Sequence, residues 1–139
     1  MLDALNQLLQ LHYRSLPMYL RHAEPWAREG SDERIAAVRD ILADHERIAS
    51  ICADWIQRRG GLIELGEFSM EFTDLHDLSL DFLLRELIVY QRQLIEEIKS
   101  LLPALSTDPP VHSLAQEALG AARGHLQNLE EIQREKAAA

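Results

Sequence analysis

A single cysteine, Cys52, in 139 residues excludes an internal disulfide, and its place on the apolar side of a predicted helix reads as a small core residue, not a reactive thiol. Aromatic residues make up 6% of the chain, with six glycines and five prolines, so the residue types that favour strands and tight turns are scarce. Leu, Ala, Glu, Arg and Gln dominate instead, and they predict an all-α fold. No apolar run approaches the ~20 residues of a membrane span. Met1-Leu2-Asp3 opens directly into an amphipathic helix, unlike a signal peptide, so a cytoplasmic protein without a membrane partner is expected. No basic cluster offsets the formal net charge of −9, which repels phosphate backbones and excludes a nucleic-acid partner. The length predicts one domain over residues 1–139.

Punctuation divides the chain into four predicted helices. The first runs from about Leu2 to Arg28 and stops near Gly30; Ser31 then caps the second, whose first turn carries Asp32 and Glu33. A link that short makes the two antiparallel. The second helix ends at Gly60-Gly61, where a left-handed terminating residue is expected. Leu62 to Thr73 lacks a sustained helical period and reads as a partly buried connection, long enough to cross the bundle and set the third helix, Asp74 to Leu102, parallel to the second. Pro103 and the Ser106-Thr107-Asp108-Pro109-Pro110 stretch end that helix, with Asp108 as N-cap and Pro109 as the first residue of the fourth. Lys136 to Ala139 reads as a frayed tail. Pro17 removes a backbone donor and clashes with the Tyr13 carbonyl, so a kink is expected beside His12.

What stands out against this background is histidine. His12 falls within the stripe Leu2, Leu5, Leu8, Leu9, Leu16, Leu20 and Ala23 of the first helix. His45 falls within Ile35, Val38, Ile41, Leu42, Ile48, Ala49, Cys52 and Ile56 of the second. His125 falls within Leu114, Ala118, Ala121, Ala122, Leu129 and Ile132 of the fourth. One such ring is usually a core histidine with a satisfied hydrogen bond. Three at matching depth cost desolvation that either a metal ion or a closed hydrogen-bond network must offset. On the third helix, Glu86 is the nearest carboxylate at that depth. With Leu80, Leu84, Leu87, Leu94 and Ile98 as the stripe, however, Glu86 falls toward its edge, Gln91 nearer its centre and Tyr90 beside it, so any of the three is a candidate. His22, His76 and His112 lie near helix ends or in connections and receive no role.

Two hairpins joined by a crossover describe the ferritin-like bundle. Leu5-Asn6-Gln7-Leu8-Leu9, followed by Tyr19-Leu20-Arg21-His22-Ala23, resembles the opening helix of bacterioferritins and their relatives, and helix order and spacing agree along nearly the whole chain. The resemblance implies a ferritin-like four-helix bundle with a long crossover between helices two and three. It also implies a metal centre built from one Glu on each of helices one and three and a Glu-x-x-His on each of helices two and four. Here His12 takes the place of the first glutamate. Leu42-Ala43-Asp44-His45 keeps the histidine but has Leu42 for the glutamate, Ala122-Arg123-Gly124-His125 likewise has Ala122, and Glu86 is the nearest match on helix three. The axial methionine that holds haem in haem-binding bacterioferritins is matched by Ala43, so no haem is expected.

A pair of irons needs several bridging carboxylates, and this ligand set has at most one, which argues against ferroxidase activity. His12, His45, Glu86 and His125 suit one divalent transition metal ion, zinc or iron, with a role in metal handling or stress response. The competing reading is a metal-free bundle serving as a dimeric binding or assembly module, its histidines and tyrosines held in a buried polar network. Trp26 and Trp55 with their leucine-rich flanks are the candidate homodimer surface. A small-molecule pocket beside Leu42 and Ala122 is a third possibility.

Overall fold

The computed structural model describes residues 1–20, 33–66 and 80–138, and every regular element among them is helical. The helices are α1 (Leu2–Tyr13), α2 (Leu16–Leu20), α3 (Glu33–Arg58), α4 (Leu80–Leu105) and α5 (Pro109–Ala138). The continuous first helix expected from the sequence is broken at Arg14-Ser15, so the kink at Pro17 is a full interruption. Pro17 has no N–H to offer the Tyr13 carbonyl. The chain closes α1 with Arg14 N–H on the Gln10 carbonyl and reopens with Tyr19 N–H on the Ser15 carbonyl. The expected continuation to Arg28, the Ser31 cap and most of the predicted connection up to Thr73 lie outside the described residues.

Both ends flanking the second and fourth predicted helices follow the local chemistry. Gly60 has φ of 74°, a conformation that costs glycine nothing, and it lets Gly60 N–H reach the Gln57 carbonyl and Gly61 N–H the Ile56 carbonyl, which satisfies two orphan acceptors of the α3 terminus. Gly61 lies so close to Leu2 and Ile56 that a Cβ would sit 3.0 Å from a Leu2 methyl. At the start of α5, Asp108 also binds Arg59 through both carboxylate oxygens, at 2.7 and 3.2 Å. This pairing, helped by the Val111 N–H, holds its carboxyl below the usual range, and it ties the end of α3 to the start of α5. Two boundaries differ from expectation: α5 continues through Lys136 to Ala138, where the sequence predicts a frayed tail, and α4 runs through Pro103 to Leu105. Pro103 withdraws a single donor near the helix end on an exposed face, and Ser106 Oγ, 2.7 Å from the Pro103 carbonyl, secures the turn beyond it.

The core comprises two apolar clusters. The first joins Leu5, Leu8 and Leu9 to Ile48, Cys52 and Ile56, and to Leu94, Ile98, Val111 and Leu114. The second joins Leu16 to Ile35, Val38 and Ile41, and to Leu83, Leu84, Leu87, Leu129 and Ile132. Early α1 therefore meets late α3, so those two run antiparallel. Both α3 and α4 begin in the second cluster and end in the first, and α5 runs the other way. Beyond Gly61 the chain is pinned to α1 by side chains one turn apart. Asn6 donates to the Leu62 carbonyl at 3.0 Å and accepts from Glu64 N–H at 2.8 Å, while Gln10 donates to the Glu64 carbonyl at 2.7 Å. Cys52 is fully buried, and burial pushes its thiol up to about 12, consistent with a packing residue.

Candidate functional site: a polar belt across the core

Each long helix crosses from one apolar cluster to the other at a polar residue. The first segment does so between Leu9 and Leu16 at His12 and Ser15. Helix α3 does so between Ile41 and Ile48 at His45, α4 between Ile88 and Leu94 at Gln91, and α5 between Ala122 and Leu129 at His125. The result is a belt of polar side chains at mid-height. His12, Ser15, His45 and Gln91 are essentially inaccessible to solvent, at 1%, 0%, 2% and 0%. Tyr90, packed against both clusters, donates its hydroxyl to the Leu11 carbonyl at 3.0 Å and so fixes α4 against α1 at this level.

The His12 and His45 rings meet edge to face with centroids 4.9 Å apart, and Tyr90 lies 6.5 Å from His45. His12 Nδ1 donates to the Leu8 carbonyl at 2.9 Å, the acceptor one helical turn back. With the proton on Nδ1 and the ring neutral, the lone pair sits on Nε2. His45 Nδ1 is 2.7 Å from Ser15 Oγ. His125, at the outer edge of the belt, donates from Nε2 to Asp44 at 2.5 Å. Asp44 lies 3.6 Å from Arg47, which in turn pairs with Glu117 at 2.6 Å, so the polar chain reaches solvent through charged groups.

Electrostatics make the inner rings neutral. Burial lowers His12 to about 4, against the opposing pull of the Leu8 carbonyl and the Asp44 charge. Burial also holds His45 well below the ordinary imidazole value. The prospect of charge on His12 and on His125 adds to that depression, and the His12 main chain opposes it. A charge inside the belt would lack solvation that no neighbouring group replaces.

Of the four sequence candidates for metal ligation, the structure brings His12 and His45 into ring contact and places His125 within electrostatic reach of His45. Glu86 is half-buried at the side of α4, while Gln91, the alternative on that helix, occupies the centre. Among the described residues, no group of three or more His, Cys, Asp or Glu side chains converges so as to hold a metal ion. The residues do not fit the paired-metal centre that the resemblance implies: Leu42 and Ala122 supply no oxygen, and His125 Nε2 is engaged by Asp44. Trp55, the described half of the candidate dimer surface, packs on the first cluster with Arg58 and Arg59 stacked at 5.1 and 4.7 Å from its ring; Trp26 lies outside the described residues, as do His22 and His76.

Ser15 and Asp44 escaped the sequence reading. Ser15 sits in the interruption before Pro17, where no helical period marks its direction. Asp44 neighbours His45 and looks like a solvated helix-face charge. Ser15→Ala removes the hydroxyl shared by His45 Nδ1 and Met18 N–H and should cost about 1–3 kcal/mol in urea denaturation; unchanged stability would show that the hydroxyl does not hold the ring.

No protein-family model matches the chain, and no curated protein matches it.

Proposed function

We propose that this chain is a non-catalytic helical bundle serving as a binding or assembly module, with its core imidazoles engaged in a metal-independent polar network. The carrying observation is that the hydrogen bonds of all three rings go to protein groups: His12 to the Leu8 carbonyl, His45 to Ser15, and His125 to Asp44. Such a layer fixes the register of the first segment and of α5 against α3, because sliding either along α3 would part Ser15 from His45 or His125 from Asp44. The running sense of α3 and α4, both from the second cluster to the first, supports a ferritin-like arrangement of two hairpins joined by a crossover. In this reading the partner is a second copy of the chain in the cytoplasm, and the apolar side chains left outside the core, Leu62 at 82% and Val89 at 48% exposure, are available to it. No helix of the described residues is long and apolar enough to cross a membrane.

The test is elemental analysis of protein purified without added metal, in wild type, His45→Ala and His125→Ala. The expected result is substoichiometric metal in all three. One equivalent in wild type that disappears in both variants would overturn this reading in favour of a second one, a mononuclear zinc or iron site used in metal handling. The observation favouring that second reading is the His12 tautomer. A histidine whose Nδ1–H is held by a backbone carbonyl presents an unprotonated Nε2, with its lone pair free for metal, and His45 lies beside it. His12, His45 and His125 would be its nitrogen ligands, with Glu86 the carboxylate candidate, and the lack of paired carboxylates argues against ferroxidase activity.

A further inference from the structure

One residue of the belt, Gln91, makes no side-chain hydrogen bond at all. Gln91 is 0% exposed, and neither its amide nitrogen nor its amide oxygen has a hydrogen-bond partner. A buried amide left so on both sides is strongly disfavoured, and the apolar stripe around it offers no reason for a glutamine at that position. Its location is fixed by its neighbour. Tyr90 is anchored on the Leu11 carbonyl, so Gln91, about 1.5 Å further along the helix axis and turned toward the core, stands at the level of His12 and His45. At that level His12 Nε2 carries an unprotonated lone pair, as its bond to the Leu8 carbonyl requires.

We infer that Gln91 marks a binding site for a small neutral guest that both accepts and donates hydrogen bonds, a water molecule or a polar organic molecule of a few atoms. The chemistry follows from the amide. Its NH2 requires an acceptor and its carbonyl a donor, so an amphoteric guest satisfies both, whereas a metal ion on the oxygen would leave the NH2 bare. The inner imidazoles, kept neutral by burial, add no charge that would select an anion or a cation. Such a guest would complete the belt on α4, the one long helix whose belt residue has no protein partner. This site does not depend on whether the histidines bind metal.

The experiment is rotating-frame cross-relaxation NMR on the full-length 15N-labelled chain, observing the Gln91 side-chain NH2, paired with native mass spectrometry and elemental analysis of the same sample. The expected result is a cross-peak from the Gln91 amide protons either to a long-lived water or to a co-purifying organic molecule seen as added mass. That guest should be absent in Gln91→Leu, or in Gln91→Met should the leucine variant not fold. The absence of any guest in wild type, its persistence in the variant, or a metal ion in its place would each overturn the inference. A rise of about tenfold or more in the folding equilibrium constant of Gln91→Leu would do the same, since that is what removal of an uncompensated amide gives.

Discussion

Acidification from pH 7 to pH 5 should weaken folding by about 2 kcal/mol through His12 alone, with His45 adding to the loss in the same direction. Burial lowers the folded-state pKa of His12 to about 4 from the ordinary 6.5 and holds His45 well below that value. Depression of a histidine means that the unfolded chain takes up the proton first. Stability is therefore unaffected above the unfolded value, declines as pH falls through 6.5 at about 1.4 kcal/mol per pH unit for each depressed ring, and stops declining once the folded ring also titrates, near 4 for His12. The interval from 6.5 to 5 lies above the ordinary carboxylate range, so the slope there reports imidazoles. Urea denaturation at several pH values checks the slope, and His12→Leu should remove the His12 share of it. Stability that stays flat across the interval would mean that the folded protein accepts these protons and that the belt is not closed to solvent.

Leu87→Ala should destabilise the protein by about 2–5 kcal/mol. Leu87 is fully buried in the second cluster, on the turn of α4 that precedes Gln91. Truncation removes both its transfer free energy and the contacts of the side chains around it, which are held by helices on several sides and have little freedom to collapse into the gap. Against a total of about 5–15 kcal/mol for a domain, the loss is large enough to populate unfolded chain under mild denaturant. Val89→Ala, two residues away on the 48% exposed face, should change stability by no more than about 0.5 kcal/mol. A shift of the urea midpoint without a change in slope is the expected signature. Similar small effects at both positions would show that α4 is not packed as described.

The helical periodicity made most of the interior legible before any coordinates. The stripes through Ile35–Ile56, Leu80–Ile98 and Leu114–Ile132 supply the two clusters, and Gly60, Asp108 and Pro109 marked the ends of α3 and α5 because turn and capping chemistry is local. The break at Arg14-Ser15 was signalled by Pro17, but only as a bend. Whether a proline kinks or interrupts a helix depends on what the residues beyond it pack against, here the burial of Leu16 in the second cluster. The site was legible to the extent that it lies on stripes. His12, His45 and Gln91 were placed in the core by spacing alone, and Glu86 was placed at the edge, where it lies. Ring partners were not legible. Ser15 reaches His45 from a non-helical position, and Asp44 reaches His125 across 81 residues, a pairing that no single-helix pattern encodes. The spacing brought the histidines to one level, while the direction of their nitrogens, which separates a network from a metal cage, is settled by backbone carbonyls and by neighbours remote in sequence.

That His12 and His45 are neutral rings in edge-to-face contact, one bonded to the Leu8 carbonyl and the other to Ser15 and both sealed within the core, can be checked by long-range 1H–15N correlation spectra of the imidazoles, recorded on the full chain as pH is lowered. Both rings should still be neutral at pH 5.5, with the His12 proton on Nδ1 and His12 titrating near 4. Protonation of both rings near 6.5, as for imidazoles in free contact with water, would contradict it.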